Sequence, residues 1–167
     1  MQNTASRAQR GPGVLFVCTA NICRSPMAAA LFLLRLKQED PDWQNWRVGS
    51  AGTWAIDGEP VSQNSQKVVA RREFDISQHR SRMVTAELLE SYDLILTMEP
   101  GHKESLQVEF PAIAERVFLL SEMAGQAVPI ADPYGQPIDA YEKTAQKIEQ
   151  ILARGMQRIR SLVKRST

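Results

Sequence analysis

One cysteine near the start of the chain stands six positions before an arginine, and the two side chains together suit phosphoryl chemistry. Cys18 follows the apolar run at residues 14–17, and Arg24 precedes Ser25 and Pro26. Thiols that face backbone N–H groups and a cation have pKa values of roughly 3.5 to 7.5. A guanidinium offers a planar fork of donors to two phosphoryl oxygens. We therefore predict that Cys18 is a nucleophile and that the turn after it binds an oxyanion.

The residues on either side of this turn favour a strand followed by a helix. Residues 14–17 are continuously apolar, which is typical of a strand buried on both faces of a parallel sheet. Ser25 is a preferred N-cap and Pro26 a favoured first helical residue, so we expect a helix to begin there. The N–H groups of the turn would then lie beside the positive end of the helix dipole. Ser25 could also donate its hydroxyl to the sulfur.

The alternative for Cys18 is a packing role, because free cysteines are among the most buried residues. An isolated cysteine after an apolar strand fits that alternative better than catalysis. Here the arginine and the expected helix start lie where an oxyanion site requires them. This context favours the chemical interpretation.

An acid is needed to protonate the leaving group, and such a group contributes roughly 10² to 10⁴ in rate. Asp132 is our candidate, in the segment Asp-Pro-Tyr-Gly at residues 132–135. The alternative is an ordinary β-turn, which this composition also favours. The two histidines, His79 and His102, are poorer candidates, and with two clustered cysteines they form no zinc-ligand spacing. We therefore expect no metal and no cofactor, and the chain lacks a P-loop motif.

Composition indicates one ordinary globular domain. The chain has 167 residues, 43% of them apolar and 23% charged, with a formal net charge of +1. This balance gives no argument for a nucleic-acid or membrane partner. The two cysteines form no disulfide framework and no secretory signal is visible, so we expect a reducing, cytoplasmic setting. Residues 1–12 are expected to be a disordered extension before a domain at residues 13–167.

The remaining chain alternates strands with helices. Such alternation predicts an α/β fold with a parallel sheet and helices on both faces, with ligands bound at the carboxyl ends of the strands. Cys18 would lie at such an end. The expected elements are a first helix ending before Pro41, a strand at 46–50, a helix at 60–72 opened by Pro60, a loop at 74–82, a short helix at 84–90, a strand at 92–98, a helix at 100–109, a strand at 116–120, a loop at 121–137 and a helix at 139–164.

Three motifs in this order resemble the low-molecular-weight protein tyrosine phosphatases: Cys18-x5-Arg24-Ser25-Pro26, Ser-Ala-Gly-Thr at residues 50–53, and Asp132-Pro133-Tyr134. The resemblance spans residues 14 to about 162. It implies a flavodoxin-like single domain, of the phosphotyrosine phosphatase I type, with four parallel strands and a mechanism without metal or cofactor. Cys18 would form a phosphocysteine and Arg24 would hold the phosphoryl oxygens. Asp132 would protonate the leaving group and then activate water.

The resemblance also implies supporting roles. Asn21 matches a residue with a left-handed backbone, Ser50 and His79 match its tethers, and Asp93 matches a supporting acid. Ala20 stands where glycine is usual, so a positive φ there would cost about 1 kcal/mol. Ala29 stands where glutamate is common. The residues assigned to phosphate binding and loop support are Thr19, Ala20, Asn21, Ile22, Cys23, Ser25, Ser50, His79 and Asp93.

The expected substrate is a phosphotyrosine protein, and the expected partner is a bacterial-type tyrosine kinase. Ile22 and Tyr134 would form an apolar slot for an aromatic leaving group, and Trp54 is a further wall candidate whose alternative is a half-buried surface ring. A polar residue in place of Ile22 would suit phosphoarginine better.

Two other classes of function remain open. Related arsenate reductases use a further cysteine as a relay, and none follows Cys23 in this chain. A phosphate-reading module would need neither Cys18 nor Asp132.

Cys23 itself could form a reversible disulfide with Cys18 after oxidation, or could simply pack in the core.

Overall fold

The structure is a computed structural model that describes residues 10–165. Residues 1–9 of the predicted extension lie outside this part of the chain. The carbonyl oxygens of Gly11 and Pro12 accept hydrogen bonds from Arg47, so the chain is held in place before the expected boundary. The strands are β1 Gly13–Cys18, β2 Arg47–Gly52, β3 Leu94–Thr97 and β4 Val117–Leu119, and the α-helices are α1 Arg24–Glu39, α2 Gln63–Ala70, α3 Ala86–Glu90, α4 Pro100–Glu109 and α5 Ile138–Arg165.

The four strands form one parallel sheet in the order β2-β1-β3-β4. β1 is paired on both sides, with Val14 opposite Val48 in β2 and opposite Leu94 in β3. Every residue of β1 is buried, as its continuous apolar sequence requires. The predicted α/β fold is confirmed, and the turn after Cys18 lies at the carboxyl end of a central strand.

Helices cover both faces of the sheet. On one face, Phe16 packs against Phe32 of α1 with ring centroids 5.5 Å apart, in a core shared with α2 and α5. On the other face, Leu15 and Val17 pack with Leu89 of α3 and Leu106 of α4. Alternate residues of β1 therefore anchor two separate cores.

The last helix carries a continuous apolar stripe along the first core. Tyr141, Ile148, Leu152 and Ile159 are buried along α5. This spacing is the helical period that the sequence predicts, and the helix begins one residue before the expected start. Within residues 10–165, none of the helices has the length and apolar character that crossing a membrane requires.

Three predicted helix starts are wrong, and one of them is that of α3, which begins at Ala86 after its N-cap Thr85 and not at residue 84. α1 begins at Arg24, and Cys23 rather than Ser25 is the N-cap. The Ser25 hydroxyl is instead held by side chains of the turn, so it is not available to cap the helix. α2 begins at Gln63, because the Ser62 hydroxyl accepts from the Ser65 amide at 3.3 Å. Pro60 opens no helix and pairs with Arg80 in an isolated bridge.

Candidate active site

The turn between β1 and α1 is built around Asn21. Asn21 has a φ of 60°, in the left-handed region, which asparagine tolerates better than most residues. Its side-chain nitrogen donates to the hydroxyls of Ser25 at 2.7 Å and Ser50 at 2.9 Å. Its side-chain oxygen accepts from the Arg82 amide at 3.0 Å. The structure thus brings Ser50 to Asn21, where the resemblance expects it.

His79 contacts the backbone of the same residue. Its Nε2 lies 2.7 Å from the Asn21 carbonyl oxygen, which can only accept, so the ring donates. Burial lowers the pKa of His79, and the charges of Arg82 and Arg80 lower it further. The ring is therefore neutral at pH 7 and holds the backbone of Asn21 in place.

Ala20 and Gly52 show where the turn needs a small residue. Among the described residues other than glycine, only Asn21 and Glu73 have a positive φ, so Ala20 carries no such strain. The expected cost of alanine in place of glycine is therefore absent. Gly52 ends β2 against the turn, and a Cβ there would overlap the Thr19 carbonyl oxygen and approach the Asn21 nitrogen at 3.1 Å. The close approach requires glycine at this position.

The Cys18 sulfur is buried at the carboxyl end of β1, with 3% of the residue exposed. The Ser25 hydroxyl lies 3.0 Å from the sulfur, within hydrogen-bond distance. That hydroxyl accepts from Asn21, so its own hydrogen is available to the sulfur or to the Ala51 carbonyl oxygen at 3.4 Å. Ser25 can thus donate to a thiolate at Cys18, as the sequence predicts.

Arg24 is the most buried cation of the site, with 1% of the residue exposed. Nη1 donates to the Ile130 carbonyl oxygen at 2.8 Å and lies 3.0 Å from Glu99 Oε2. Nη2 lies 3.5 Å from Asp132 Oδ2. The buried Nε has no hydrogen-bond acceptor among the described residues. The guanidinium is therefore fixed in orientation with one donor still able to take a ligand oxygen.

Asp132 lies in a turn and also faces the arginine of the site, so both alternatives from the sequence, a turn residue and a candidate acid, hold together. Its Oδ1 accepts from the Tyr134 amide at 3.1 Å, which is an Asx turn. Its Oδ2 faces Arg24, and about half of the side chain is exposed. The turn orients the carboxylate toward the cysteine loop.

Two residues that sequence reasoning missed complete this side of the site. Glu99 follows β3 and pairs with Arg24; an acid so close to the carboxyl end of a buried strand is a signal that could have found it. His102, in the first turn of α4, lies with its Nε2 2.8 Å from Thr19 Oγ1. Burial lowers the pKa of His102, and the charge of Arg24 lowers it further. No local pattern distinguished His102 from a surface histidine.

The expectation for Asp93 is wrong. Asp93 precedes β3 and so lies at the amino ends of the strands, on the edge of the sheet opposite Cys18. There its Oδ2 accepts from the Gly13 amide at 2.8 Å and lies 3.6 Å from Arg47 Nη2. Asp93 therefore supports the start of β1 and not the turn that follows it.

A cavity of about 220 Å³ opens over the turn. Ile22 and Tyr134 line it, as expected for a wall around an aromatic group. Trp54 does not line it: the ring is 82% exposed, and only the Trp54 amide reaches the turn, donating to the Thr19 carbonyl oxygen at 2.9 Å. The full lining is Cys18, Thr19, Ala20, Ile22, Cys23, Arg24, Asp132 and Tyr134.

Cys23 lines the cavity as well, but its sulfur contacts the N-cap of α2 and a residue of α5. Its sulfur lies 3.4 Å from the Ser62 hydroxyl and 3.7 Å from the Tyr141 hydroxyl. Burial raises the pKa of the Cys23 thiol, and burial with the contact to Cys23 raises the pKa of Tyr141 to about 12. Both groups are protonated at pH 7.

A thiol and a buried guanidinium at the carboxyl end of a central parallel strand face a half-exposed carboxylate from the loop before α5, in an α/β fold of the class that includes cysteine-dependent phosphatases. Residues 13–165 match the family described as low molecular weight phosphotyrosine protein phosphatase, and the chain belongs to that family. The resemblance seen in the three sequence motifs is thereby confirmed.

Relatives with both tyrosine and arginine phosphatase names are similar to the chain. The "Probable low molecular weight protein-tyrosine-phosphatase EpsP" of Ralstonia nicotianae is 39% identical, over 89% of this chain and 97% of its own length. The "Protein-arginine-phosphatase" of Bacillus subtilis is 35% identical, over 83% of this chain and 91% of its own. The crystal structure of a low molecular weight protein tyrosine phosphatase from T. tengcongensis superposes with a TM-score of 0.82 at 36% identity, over 89% of this chain and 99% of its own.

Proposed function

We propose that the protein is a protein-tyrosine phosphatase that hydrolyses phosphotyrosine through a phosphocysteine at Cys18. The observation that carries this proposal is that Cys18, Arg24 and Asp132 line one cavity of about 220 Å³. A nucleophile, an oxyanion-binding cation and a proton donor are the groups that metal-free phosphoryl transfer needs.

In the first step, the Cys18 thiolate attacks phosphorus and the bond to the leaving-group oxygen breaks. Arg24 and the backbone amides of the turn donate hydrogen bonds to the phosphoryl oxygens. Because the fold fixes these donors before the substrate binds, they stabilise the transition state without reorganising. The buried Arg24 Nε donor supports this role, because a phosphoryl oxygen would give it an acceptor. Ser25, 3.0 Å from the sulfur, stabilises the thiolate when it departs in the second step.

Asp132 exchanges the protons. Its half-exposed carboxyl gives a proton to the leaving oxygen in the first step and takes one from water in the second. The water oxygen then attacks the phosphocysteine, and phosphate leaves as the thiolate is restored. The Asx turn with Tyr134 supports this assignment, because it keeps the carboxyl at the mouth of the cavity.

The wall of the cavity favours phosphotyrosine over phosphoarginine. Ile22 and Tyr134 offer apolar surface, which suits an aromatic ring better than a guanidinium. The tyrosine phosphatase name of the Ralstonia relative supports this choice. The arginine phosphatase name of the Bacillus relative makes phosphoarginine the second candidate substrate. The physiological substrate would be a phosphorylated protein, with a bacterial-type tyrosine kinase as its source.

Arsenate reduction is the weaker alternative. The chain contains two cysteines, and the Cys23 thiol is the sole internal candidate for a relay.

We also propose that residues 13–167 form the catalytic domain and that the protein acts in the cytoplasm. Both cysteines are free thiols in the structure, and the proposed reaction needs a reduced Cys18.

The mechanism is tested by Cys18→Ser and Asp132→Asn. We expect Cys18→Ser to abolish turnover of p-nitrophenyl phosphate and Asp132→Asn to lower kcat roughly 10²- to 10⁴-fold with a poorer leaving group such as phenyl phosphate. Asp139→Asn, an exposed carboxylate in the first turn of α5, is the matched control and should keep full activity. Activity that is lost in EDTA, or that survives Cys18→Ser, contradicts the mechanism.

The substrate class is tested by comparing kcat/KM on phosphotyrosine and phosphoarginine peptides of the same sequence. We expect a clear preference for phosphotyrosine, reduced in Ile22→Thr because a hydroxyl replaces apolar wall. Comparable kcat/KM values for the wild type on both peptides would contradict the preference. Thiol-dependent formation of arsenite from arsenate, measured in parallel, would favour the reductase instead.

A further inference from the structure

Thr19 and His102 form a contact at the cavity that the mechanism above does not use. Thr19 lines the cavity beside Cys18, and its Oγ1 lies 2.8 Å from His102 Nε2. On the other side of the ring, the backbone N–H of Glu99 donates to His102 Nδ1 at 3.2 Å. The imidazole therefore bridges the start of α4 and the oxyanion loop.

These two contacts fix the direction of each hydrogen bond. A backbone N–H can only donate, so His102 Nδ1 must carry the lone pair. The hydrogen of the neutral ring is then on Nε2, which donates it to Thr19 Oγ1. Burial and the charge of Arg24 keep the ring neutral at pH 7 by lowering the pKa of His102.

The direction of this bond determines what the Thr19 hydroxyl can offer. Because its oxygen accepts from His102, its own hydrogen must point elsewhere. In residues 10–165, no other hydrogen-bond partner of the hydroxyl is present, and the residue is exposed at the cavity. The hydroxyl is thus left as a donor beside Cys18 and Arg24.

We propose that His102 is a positioning residue that makes Thr19 a hydrogen-bond donor to an oxygen of the oxyanion bound in the cavity. The inference rests on the proposed function of the turn as an oxyanion site. It adds a side-chain donor from Thr19 to the donors of Arg24 and the backbone amides. Thr19 would touch the ligand, whereas His102 would act through Thr19.

Protonation of His102 would disrupt the hydrogen bonds that the ring makes to Glu99 and Thr19. A second hydrogen on Nδ1 would face the Glu99 N–H, so two donors would oppose each other and the ring would have to turn. The charged groups around the ring are Arg24 of α1, Glu99 at the start of α4 and Asp132 of the last loop. Since neutral His102 is the form that directs Thr19, this contribution to binding is lost as the pH falls through the pKa of His102.

The experiment measures the Kd of sulfate by calorimetry, because sulfate keeps its charge over the pH range used and needs no turnover. We expect Thr19→Val to weaken sulfate binding about tenfold, since it removes a hydrogen bond to a charged group, and Thr19→Ser to stay within about twofold. His102→Leu should weaken binding about fivefold. His102→Gln, which keeps an N–H donor near Thr19, should restore most of the affinity at pH 7.

A double-mutant cycle and a pH series separate this role from simple packing. Thr19→Val with His102→Leu should bind sulfate no more weakly than Thr19→Val alone, because both changes remove one hydrogen bond. As the pH is lowered below the ordinary histidine value of about 6.5 until His102 of the folded protein takes up a proton, sulfate binding should weaken more in the wild type than in His102→Gln. Thermal unfolding of each variant reports any general loss of stability.

Several outcomes would overturn the proposal. If the losses of sulfate affinity in the two single variants add fully in the double variant, His102 only packs α4. If Thr19→Val binds sulfate as tightly as the wild type, Thr19 is not a donor to the anion. The same pH dependence in wild type and His102→Gln would exclude the ring as its cause. If sulfate fails to bind the wild type at all, the oxyanion site itself is wrong and the proposed function falls too. Normal sulfate binding without any phosphatase activity would instead contradict the proposed function alone.

Discussion

The two thiols of the oxyanion loop have different surroundings. Both line the cavity, but Cys18 contacts the Ser25 hydroxyl, whereas Cys23 contacts the hydroxyls of Ser62 and Tyr141. Burial raises the pKa of the Cys23 thiol. An oxidant that enters the cavity can reach Cys18, the proposed nucleophile, and the protonated Cys23 thiol of the same loop can then condense with the sulfenic acid that forms.

We predict that hydrogen peroxide inactivates the enzyme reversibly. Peroxide converts Cys18 to a sulfenic acid, and the Cys23 thiol displaces water from it to form a disulfide. Dithiothreitol should then restore activity in the wild type, and intact-mass spectrometry should show the loss of a pair of hydrogen atoms. Cys23→Ser should be oxidised further and should not recover. Equal recovery of Cys23→Ser would mean that Cys23 has only a packing role.

Individual site residues differ in how far the sequence could predict them. Cys18, Arg24 and Asp132 follow from local chemistry, because each lies in a short motif with turn or helix signals around it. Glu99 and His102 come to the site through the pairing of β1 with β3, which local periodicity does not report. The resemblance places Asp93 wrongly, because the residue precedes a strand whose other end faces the site.

At the scale of elements, the end of β2 determines the shape of the oxyanion loop. The Thr53 amide donates to the Cys18 carbonyl oxygen at 2.9 Å, directly after the close approach of Gly52 to the turn. Two chain segments are thus held in backbone contact without a side chain between them. The Trp54 amide donates in the same way to the Thr19 carbonyl oxygen at 2.9 Å, so the residues directly after β2 hold the start of the turn through its backbone.

We predict that Gly52→Ala destabilises the protein and weakens oxyanion binding. The added Cβ overlaps the backbone of Thr19, and backbone cannot move aside as a flexible side chain can. The expected loss is about 1 to 3 kcal/mol in the free energy of unfolding, measured by urea denaturation, together with a weaker Kd for sulfate. Gly101→Ala in α4 is the matched control.

The control tests the same chemical change where there is room for it. A Cβ at Gly101 meets nothing within 4 Å, and alanine is the better helix former, so stability should rise by about 0.5 to 1 kcal/mol. Equal effects of the two substitutions would exclude steric overlap as the reason for glycine at position 52.

Elements with strong local signals were predictable, and those decided by tertiary contacts were not. The buried strands and α5 follow from apolar runs and helical spacing, and Thr85 caps α3 as its hydroxyl suggests, accepting from the Leu88 amide at 3.1 Å. The start of α1 differs because Asn21 recruits the Ser25 hydroxyl. The strand order depends on pairings between distant segments, and only the family resemblance implied the number of strands.

At the scale of the whole molecule, two neutral histidines link folding to pH. Burial lowers the pKa values of His79 and His102 below the ordinary value of 6.5. In the unfolded chain both titrate near that value, so between it and the native pKa values the unfolded state binds more protons. Their stabilising contribution is therefore complete above about pH 6.5 and is lost as the pH falls toward the native pKa values.

We predict that the urea midpoint falls as the pH is lowered from 7.5 to about 5.5, a range in which ordinary carboxylates stay ionised. In the double variant His79→Gln with His102→Gln, the urea midpoint should fall less over this range than in the wild type, because glutamine does not titrate. Parallel profiles for wild type and double variant would assign the pH dependence to other groups.

The central position of β1 has a consequence for how the loop moves. Its amides lie in ladders on both sides, so opening β1 requires the sheet to come apart. Hydrogen exchange of these amides would then occur through global unfolding, while peripheral turns exchange by local fraying. The loop is joined to this slow-exchanging strand at one end and to α1 at the other. Anion capture at this loop thus costs little ordering entropy, and association should be close to a rigid-body encounter.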